Sequence, residues 1–510
     1  MEEKKPSVFL SLVPFAVTAI LIALVIHHFG SDALGGPSQV ALILGAGTAI
    51  AISMGICHIH WHTLEEAIVE NLKNISSAII ILLLIGAIGG SWMVSGIVPT
   101  LIVYGLKVIT PGIYLFAACL ICALVSLMTG SSWTTIATIG VALIAIGEAL
   151  GYSAAWCAGA IISGAYFGDK MSPLSDTTVL ASSAAGVPLF EHIKFMTITT
   201  GPAFITALLA YLIVSILHPA GASAGASEVE SVLRGTFNIS PWLLLVPVAV
   251  GVMIWRKVPA ILTLLGAALL ASVAALIAQP GLVAQIGGAV AGLSGGADLG
   301  GAVADLSGGA AGPASGAGFG PAFRGVALML SDSTAISTGS AQVDALVATG
   351  GMNGMLPTIF LIISAATFGG AMVGSGMIQS LTDALTKRIH TCGGLVGATL
   401  LTGICSNLVL GDQYLSIIMT SRLYKALYEK LHFEGRLLSR STEDSATVTS
   451  VLIPWNSCGM TQSTVLRVPT AAYFPYCFFN ILSPLCSLTV ALIGFKIKRN
   501  KPDQCSSPKK

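Results

Sequence analysis

Apolar residues fall in long blocks near 8–29, 37–57, 75–95, 98–109, 112–128, 133–150, 153–167, 194–217, 240–255, 259–278, 355–378, 393–410, 413–428 and 465–495. A block of about 18–25 apolar residues reaches across the hydrocarbon core of a bilayer. Several blocks are short or broken, so the pattern predicts an all-α polytopic membrane protein with about ten to twelve crossings. The first block follows a charged start, MEEKK, and lacks a clear small-residue cleavage site, which predicts a first transmembrane helix rather than a cleaved signal peptide. Polar interruptions then stand out. GDKMSPLSDTT begins at Gly168, and LLSRSTEDSATVTSVLIPWNSCG begins at Leu437. Both place carboxylates, hydroxyls, Pro and Gly inside apolar sequence. A carboxylate at membrane depth persists where it pairs or lines a cavity, and broken backbone is tolerated there only under cover of protein or water.

The order of these interruptions divides the chain. GGSWMVSGIVPT (89–100) and GGAMVGSGMIQS (369–380) share a GG followed by Ser-Gly at the same spacing. Each is followed by a polar break, MTGSSWTT (128–135) or GICSNLVLGDQY (403–414). Each half then carries an acidic, hydroxyl-rich motif, SPLSDTTVLAS (172–182) or STEDSATVTSV (441–451), which aligns Asp176 with Asp444. Interrupted segments at corresponding places in two halves point to the binding site of a secondary transporter. The predicted division is N-terminal helices over 1–74, a first repeat over 75–218, connecting helices with a Gly/Ala-rich linker over 219–354, a second repeat over 355–495, and a basic tail over 496–510. The repeats are expected to be inverted, with discontinuous helices. The stretch 280–325 reads as a flexible connection or a loosely packed small-residue helix.

Composition narrows the classes. Hydrophobic residues make up 54% of the chain and charged residues 9%, against about 25% charged in soluble domains. A net charge of +1 gives no reason to expect nucleic acid as a partner. The partners expected are Na⁺, H⁺, the lipid bilayer, a small carboxylate or amino acid, and a second copy of the chain in a homodimer. Cys119 and Cys122 form a CxxC within an apolar run and read as packing residues. Alternating His58, His60 and His62 read as an interfacial loop. Glu148 is expected to snorkel to an interface, and Glu191, His192 and Lys194 to start a helix there. No Walker motif, GxSxG or HExxH occurs, so ATP drive and enzyme chemistry are not expected, and neither is a cofactor. Basic residues at Lys4, Lys5, Arg256, Lys257, Lys387, Arg388 and in the tail mark cytoplasmic ends under the positive-inside rule, which puts both termini inside.

The candidate acidic set is Asp169, Asp176, Asp412 and Asp444. Pro173 makes a continuous helix from Asp169 to Asp176 doubtful, and an unwound stretch with Ser175 and Thr177 offers oxygen ligands to a hard cation such as Na⁺. Asp176 and Asp444 are expected to form the pair at which Na⁺ and H⁺ compete. Lys170 stands ready to neutralise Asp169, and Arg440 to pair with Glu443 at a surface. Asp444 is expected to be more buried than Glu443. Asp412 reads as a site residue or a helix N-cap. Asn456 and Ser457, with Ser131, Ser132 and Thr134 in the first half, are candidates for substrate or cation ligation. The competing reading is a packed helix kink for Asn456 and Ser457, and hydroxyls bonded back to the backbone for Ser131, Ser132 and Thr134.

These strings also resemble a known family. GDKMSPLSDTT with the following VLASSAAGVPLFEHIKFM, and then SGIVPTLIVYGL, GGMNGMLPT, TFGGAM, GDQY, LSRSTEDSATVTS and IPWNSCG, are similar to NhaC-type Na⁺/H⁺ antiporters, a family that includes malate–lactate antiporters, over most of 75–480. The resemblance implies an inverted-repeat fold and Na⁺ or H⁺ coupling in a bacterial inner membrane. It departs at Val373 and Gly374, where many relatives carry a Glu soon after the second GG. A small organic acid or amino acid therefore stays open as the cargo.

Overall fold

A computed structural model describes residues 6–29, 36–217, 224–256, 258–289, 319–334, 336–386 and 391–497. Among the described residues the secondary structure is helical apart from one bridge between Thr334 and Thr349. Eight helices are long and apolar enough to cross a membrane, or up to eleven if each of three bent helix pairs is one span. Phe9, Ile213, Ile277 and Leu492 lie exposed on the outside of the bundle, where lipid rather than water accounts for so much apolar surface. The protein is an all-α, multi-pass membrane protein.

In chain order the helices are α1 (Val8–Phe29), α2 (Pro37–Gly55), α3 (Trp61–Asn74), α4 (Ser76–Val94), α5 (Ile97–Val108), α6 (Tyr114–Thr129) and α7 (Ser132–Ala149, with a π turn over Ile136–Gly140). They continue with α8 (Ala154–Met171), α9 (Asp176–Ala185), α10 (Leu189–Leu217), α11 (Ala224–Thr236), α12 (Leu245–Trp255), α13 (Ala260–Ala278), α14 (Pro280–Ala289), α15 (Phe319–Ser331) and α16 (Ala341–Val347). The last group is α17 (Leu356–Gly374), α18 (Met377–Thr386), α19 (Cys392–Leu410), α20 (Gln413–Lys430), α21 (Gly435–Thr442), α22 (Ser457–Leu466), α23 (Thr470–Tyr473) and α24 (Phe478–Ile493). Between α21 and α22 lie a π turn, Glu443–Thr447, and a 3₁₀ turn, Ser450–Leu452.

The local geometry of the two halves runs in parallel. Helix α4 turns into α5 at Gly96, and α17 turns into α18 at Gly376. Helix α6 ends at Gly130 before α7, and α19 ends at Gly411 before α20. Gly130 and Gly411 have φ of 69° and 65°, a left-handed conformation that is costly for residues with a Cβ. A Pro-containing break over 172–175 separates α8 from α9, and one over 453–456 precedes α22. These positions keep a nearly constant separation along the chain. At that separation Ser175 stands opposite Asn456 and Asp176 opposite Ser457, whereas matching the acidic motifs sets Asp176 against Asp444. Two proline breaks are a better register mark than two acids, because backbone geometry is harder to displace than a side-chain type.

The core of the first half is the close approach of α6 and α8. A Cβ on Gly164 would lie 2.0 Å from the Cys119 carbonyl oxygen, and one on Gly168 would lie 2.3 Å from that of Ala123. Small residues let membrane helices pack backbone to backbone. Cys119 and Cys122 are fully buried in this seam. Gly164→Val must push the helices apart and should cost roughly 1–3 kcal/mol of overpacking. The expected outcome is a lower melting temperature and poorer recovery in detergent, read by thermal unfolding and gel filtration.

Helices form at both ends of the low-complexity segment. Helices α14 and α15 pack closely: a Cβ on Gly287 would meet the Pro321 carbonyl oxygen at 2.0 Å, and one on Gly325 that of Val283 at 2.1 Å. Its middle, 290–318, lies outside the described residues. So do Lys4, Lys5, Lys257, Lys387, Arg388 and most of the basic tail.

Candidate cation site

The two breaks of the first half cross. A Cβ on Gly130 would lie 2.6 Å from the backbone of Leu174, so the α6–α7 turn rests directly on the α8–α9 break. The two breaks of the second half cross in the same manner, with the Ser457 N–H donating to the Gly411 carbonyl at 2.7 Å. The first crossing exposes backbone groups and helix ends to the cavity beside it.

Asp169 sits at the first crossing, in the last turn of α8, and is 4% exposed. Its Oδ2 accepts from the backbone N–H of Ser132 at 3.2 Å and from the Ser132 hydroxyl at 2.6 Å, and its Oδ1 accepts from the Ser175 hydroxyl at 2.5 Å. Ser175 is also 2.9 Å from the Thr177 hydroxyl. A carboxylate has about four lone-pair directions, so these three donors fix Asp169 and leave roughly one direction for a ligand. The N-terminal ends of α7 and α9 flank it and stabilise negative charge.

Asp169 opens onto a cavity of about 590 Å³. Ser131, Thr134, Ser175, Asp176 and Thr177 share its wall with Gln413 and Tyr414 at the start of α20. Ser131 caps α7, accepting from the Thr134 N–H at 3.2 Å. Asp176 is exposed to this space as the first residue of α9. Asp412 is buried one residue before Gln413; its Oδ1 caps α20 by accepting from the Leu415 N–H, and its Oδ2 accepts from the Ser457 hydroxyl, both at 3.1 Å. It is therefore an N-cap held inside the protein rather than at an interface, and it does not line the cavity. Tyr414 lies within electrostatic reach of Asp169, Asp176 and Asp412. The GDQY string held this residue and Gln413 in view, but nothing in their spacing tied them to the first half.

Asn456 caps α22, accepting from the Cys458 N–H at 3.1 Å and donating to the Asn407 carbonyl at 3.1 Å. It and Ser457 build the second crossing and do not line the cavity.

Asp444 lies elsewhere. Its Oδ1 accepts from Lys170 and from Ser483 at 2.9 Å, and its Oδ2 accepts from Thr199 at 2.9 Å. Lys170 and Asp444 are both fully buried. The structure thus brings Asp169 and Asp176 together at the cavity, sets Asp412 at the second crossing, and leaves Asp444 with Lys170. Adjacent helix residues project about 100° apart, so Lys170 turns away from Asp169 rather than neutralising it. The anticipated surface pair of Arg440 and Glu443 is also corrected: both are fully buried, as is Asp444. His192 is buried against the Ser439 hydroxyl at 2.7 Å instead of lying at an interface. Glu148 lines, with Arg467, a separate cavity of about 660 Å³.

A multi-pass helical bundle with crossed helix breaks and buried carboxylates is the architecture of a secondary transporter. The model of the Na⁺/H⁺ antiporter family matches residues 3–186, 164–302 and 312–495. The chain is 36% identical to the Na⁺/H⁺ antiporter NhaC of Bacillus subtilis over 85% of its own length and 87% of that protein. It is 32% identical to the malate-2H⁺/Na⁺-lactate antiporter of the same organism over 92% and 91%. It is 30% identical to the arginine/ornithine antiporter ArcD of Halobacterium salinarum over 98% and 95%. The chain belongs to the Na⁺/H⁺ antiporter family; it is a membrane antiporter and not an enzyme.

Proposed function

We propose that this protein exchanges Na⁺ for H⁺ across the cytoplasmic membrane, with both termini inside. The observation that carries the reading is the wall of the 590 Å³ cavity: two carboxylates, seven Ser or Thr hydroxyls, Tyr414 and, among the described lining residues, no Lys or Arg. A hard cation takes oxygen ligands, and Asp169, Asp176, Ser131, Thr134, Ser175 and Thr177 supply them. Na⁺ and H⁺ compete for Asp169. Loading with either ion neutralises the carboxylate and lowers the cost of moving it past apolar surroundings, which permits alternating access.

An acidic wall repels a free carboxylate such as malate or lactate. It suits the side chain of a cationic amino acid, and the cavity is larger than a bare ion needs. The similarity to the arginine/ornithine antiporter makes this the second reading. Everted membrane vesicles containing the chain, with a pH-sensitive dye, separate the cases. Na⁺ alone is expected to discharge the proton gradient, and Asp176→Asn to reduce the effect roughly tenfold, about 1.4 kcal/mol in apparent affinity. A response to arginine, malate or lactate with none to Na⁺ alone would overturn Na⁺/H⁺ exchange.

A further inference from the structure

The π turn Glu443–Thr447 packs against α19, α20 and α24, behind the helices whose first residues face the cation cavity. Glu443 is fully buried there, and neither carboxylate oxygen has a hydrogen-bond partner. The hydroxyl of Thr447 lies beside it, also without one. Three residues earlier, Arg440 is fully buried over the Phe195 ring at 4.7 Å. All three of its guanidinium nitrogens lack hydrogen-bond partners, and the nearest carboxylate oxygen, on Asp444, is 3.9 Å from Nε. A carboxylate whose one nearby donor is the Thr447 hydroxyl and a guanidinium with no hydrogen-bonded acceptor therefore lie three residues apart along one helical path, a spacing that lets side chains meet on one face.

Neither group is satisfied as it stands, and each has what the other lacks. A buried carboxylate with no hydrogen-bonded donor is far better neutral than ionised. Releasing its proton creates an acceptor that Arg440 can turn to, converting two unsatisfied groups into one pair. Lys170, Asp169 and Asp444 are the charged groups that act on Glu443. Lys170 is already committed to Asp444, which leaves Arg440 as the available counter-charge.

We infer that Glu443 is a second proton-binding residue of the transport cycle, separate from the cation cavity, which gives up its proton to solvent while Arg440 takes up the resulting carboxylate. The inference rests on Na⁺/H⁺ exchange at Asp169 and adds to the number of protons moved per cation.

The test is the H⁺-to-Na⁺ coupling ratio of the full chain in proteoliposomes, read from the reversal potential, with ²²Na⁺ counterflow as a measure of the cation site alone. Glu443→Gln fixes a neutral side chain of the same shape. The ratio is expected to drop by a single proton, or net antiport to stop, with counterflow retained in both cases. Glu443→Asp should restore the ratio with a shifted pH profile. An unchanged ratio in Glu443→Gln would make Glu443 a permanently neutral packing group and overturn the inference. Loss of counterflow in a correctly folded Glu443→Gln protein would also overturn it, by placing Glu443 in the cation path. Absence of Na⁺/H⁺ exchange in the unmodified protein would instead sink the functional reading on which the inference depends.

Discussion

Asp169→Asn is expected to abolish Na⁺-dependent proton movement, with Na⁺ binding weakened roughly 100-fold, or about 2.8 kcal/mol. The asparagine keeps the shape of the side chain and presents an acceptor oxygen to one of its neighbours. It removes the negative charge that compensates a partly dehydrated cation, and its amide group cannot accept from Ser132 or Ser175 in place of the second oxygen. Asp169→Glu keeps the charge but carries it one methylene farther, across a cage whose bonds are 2.5–3.2 Å long, and should retain a small fraction of activity. Uptake of ²²Na⁺ into vesicles at several Na⁺ concentrations separates lost affinity from lost turnover. Full activity in Asp169→Asn would move the cation away from the α7–α8 crossing.

Asp444→Asn should damage the protein in another way. It leaves Lys170 charged, fully buried and without its carboxylate partner. Breaking a buried pair from one side costs about 3–5 kcal/mol, whereas replacing both partners with apolar residues of similar size is often neutral. Asp444→Asn is thus expected to extract poorly and melt early in detergent, and Lys170→Met with Asp444→Leu to recover much of the loss. Thermal unfolding of the two single variants and the double variant measures this directly. A single Asp444→Asn protein as stable as the parent, but unable to bind Na⁺, would return Asp444 to the cation site.

The division of labour among the four aspartates was only partly legible in the sequence. Gly, Pro and hydroxyl clusters inside apolar runs mark the places where helices break, because few other residues tolerate those backbone conformations. The turns at Gly130 and Gly411 and the breaks around Pro173 and Pro454 follow from that logic. What each carboxylate faces does not. Asp169 and Lys170 are neighbours in sequence, yet the pitch of α8 sends one to the cavity and the other to Asp444. Matching acid to acid paired Asp176 with Asp444, while matching break to break pairs Asp176 with Ser457. The burial of Arg440 and Glu443 was hidden as well: SRSTED has a surface composition, and only packing against the neighbouring helices reverses that reading.

The size of the cavity beside Asp169 bears on selectivity. At roughly 30 Å³ per liquid water, 590 Å³ has room for about 20 molecules. In the proposed cycle a space of that volume lets an alkali ion keep its hydration shell beside Asp169, so size alone discriminates little among Na⁺, Li⁺ and K⁺ there. The sorting falls on the last step, when the ion exchanges waters for the free lone pair of Asp169 and the nearby hydroxyls. Preference among the ions should then follow the balance between the energy of stripping those few waters and the spacing of the protein oxygens that replace them, rather than the width of the way in.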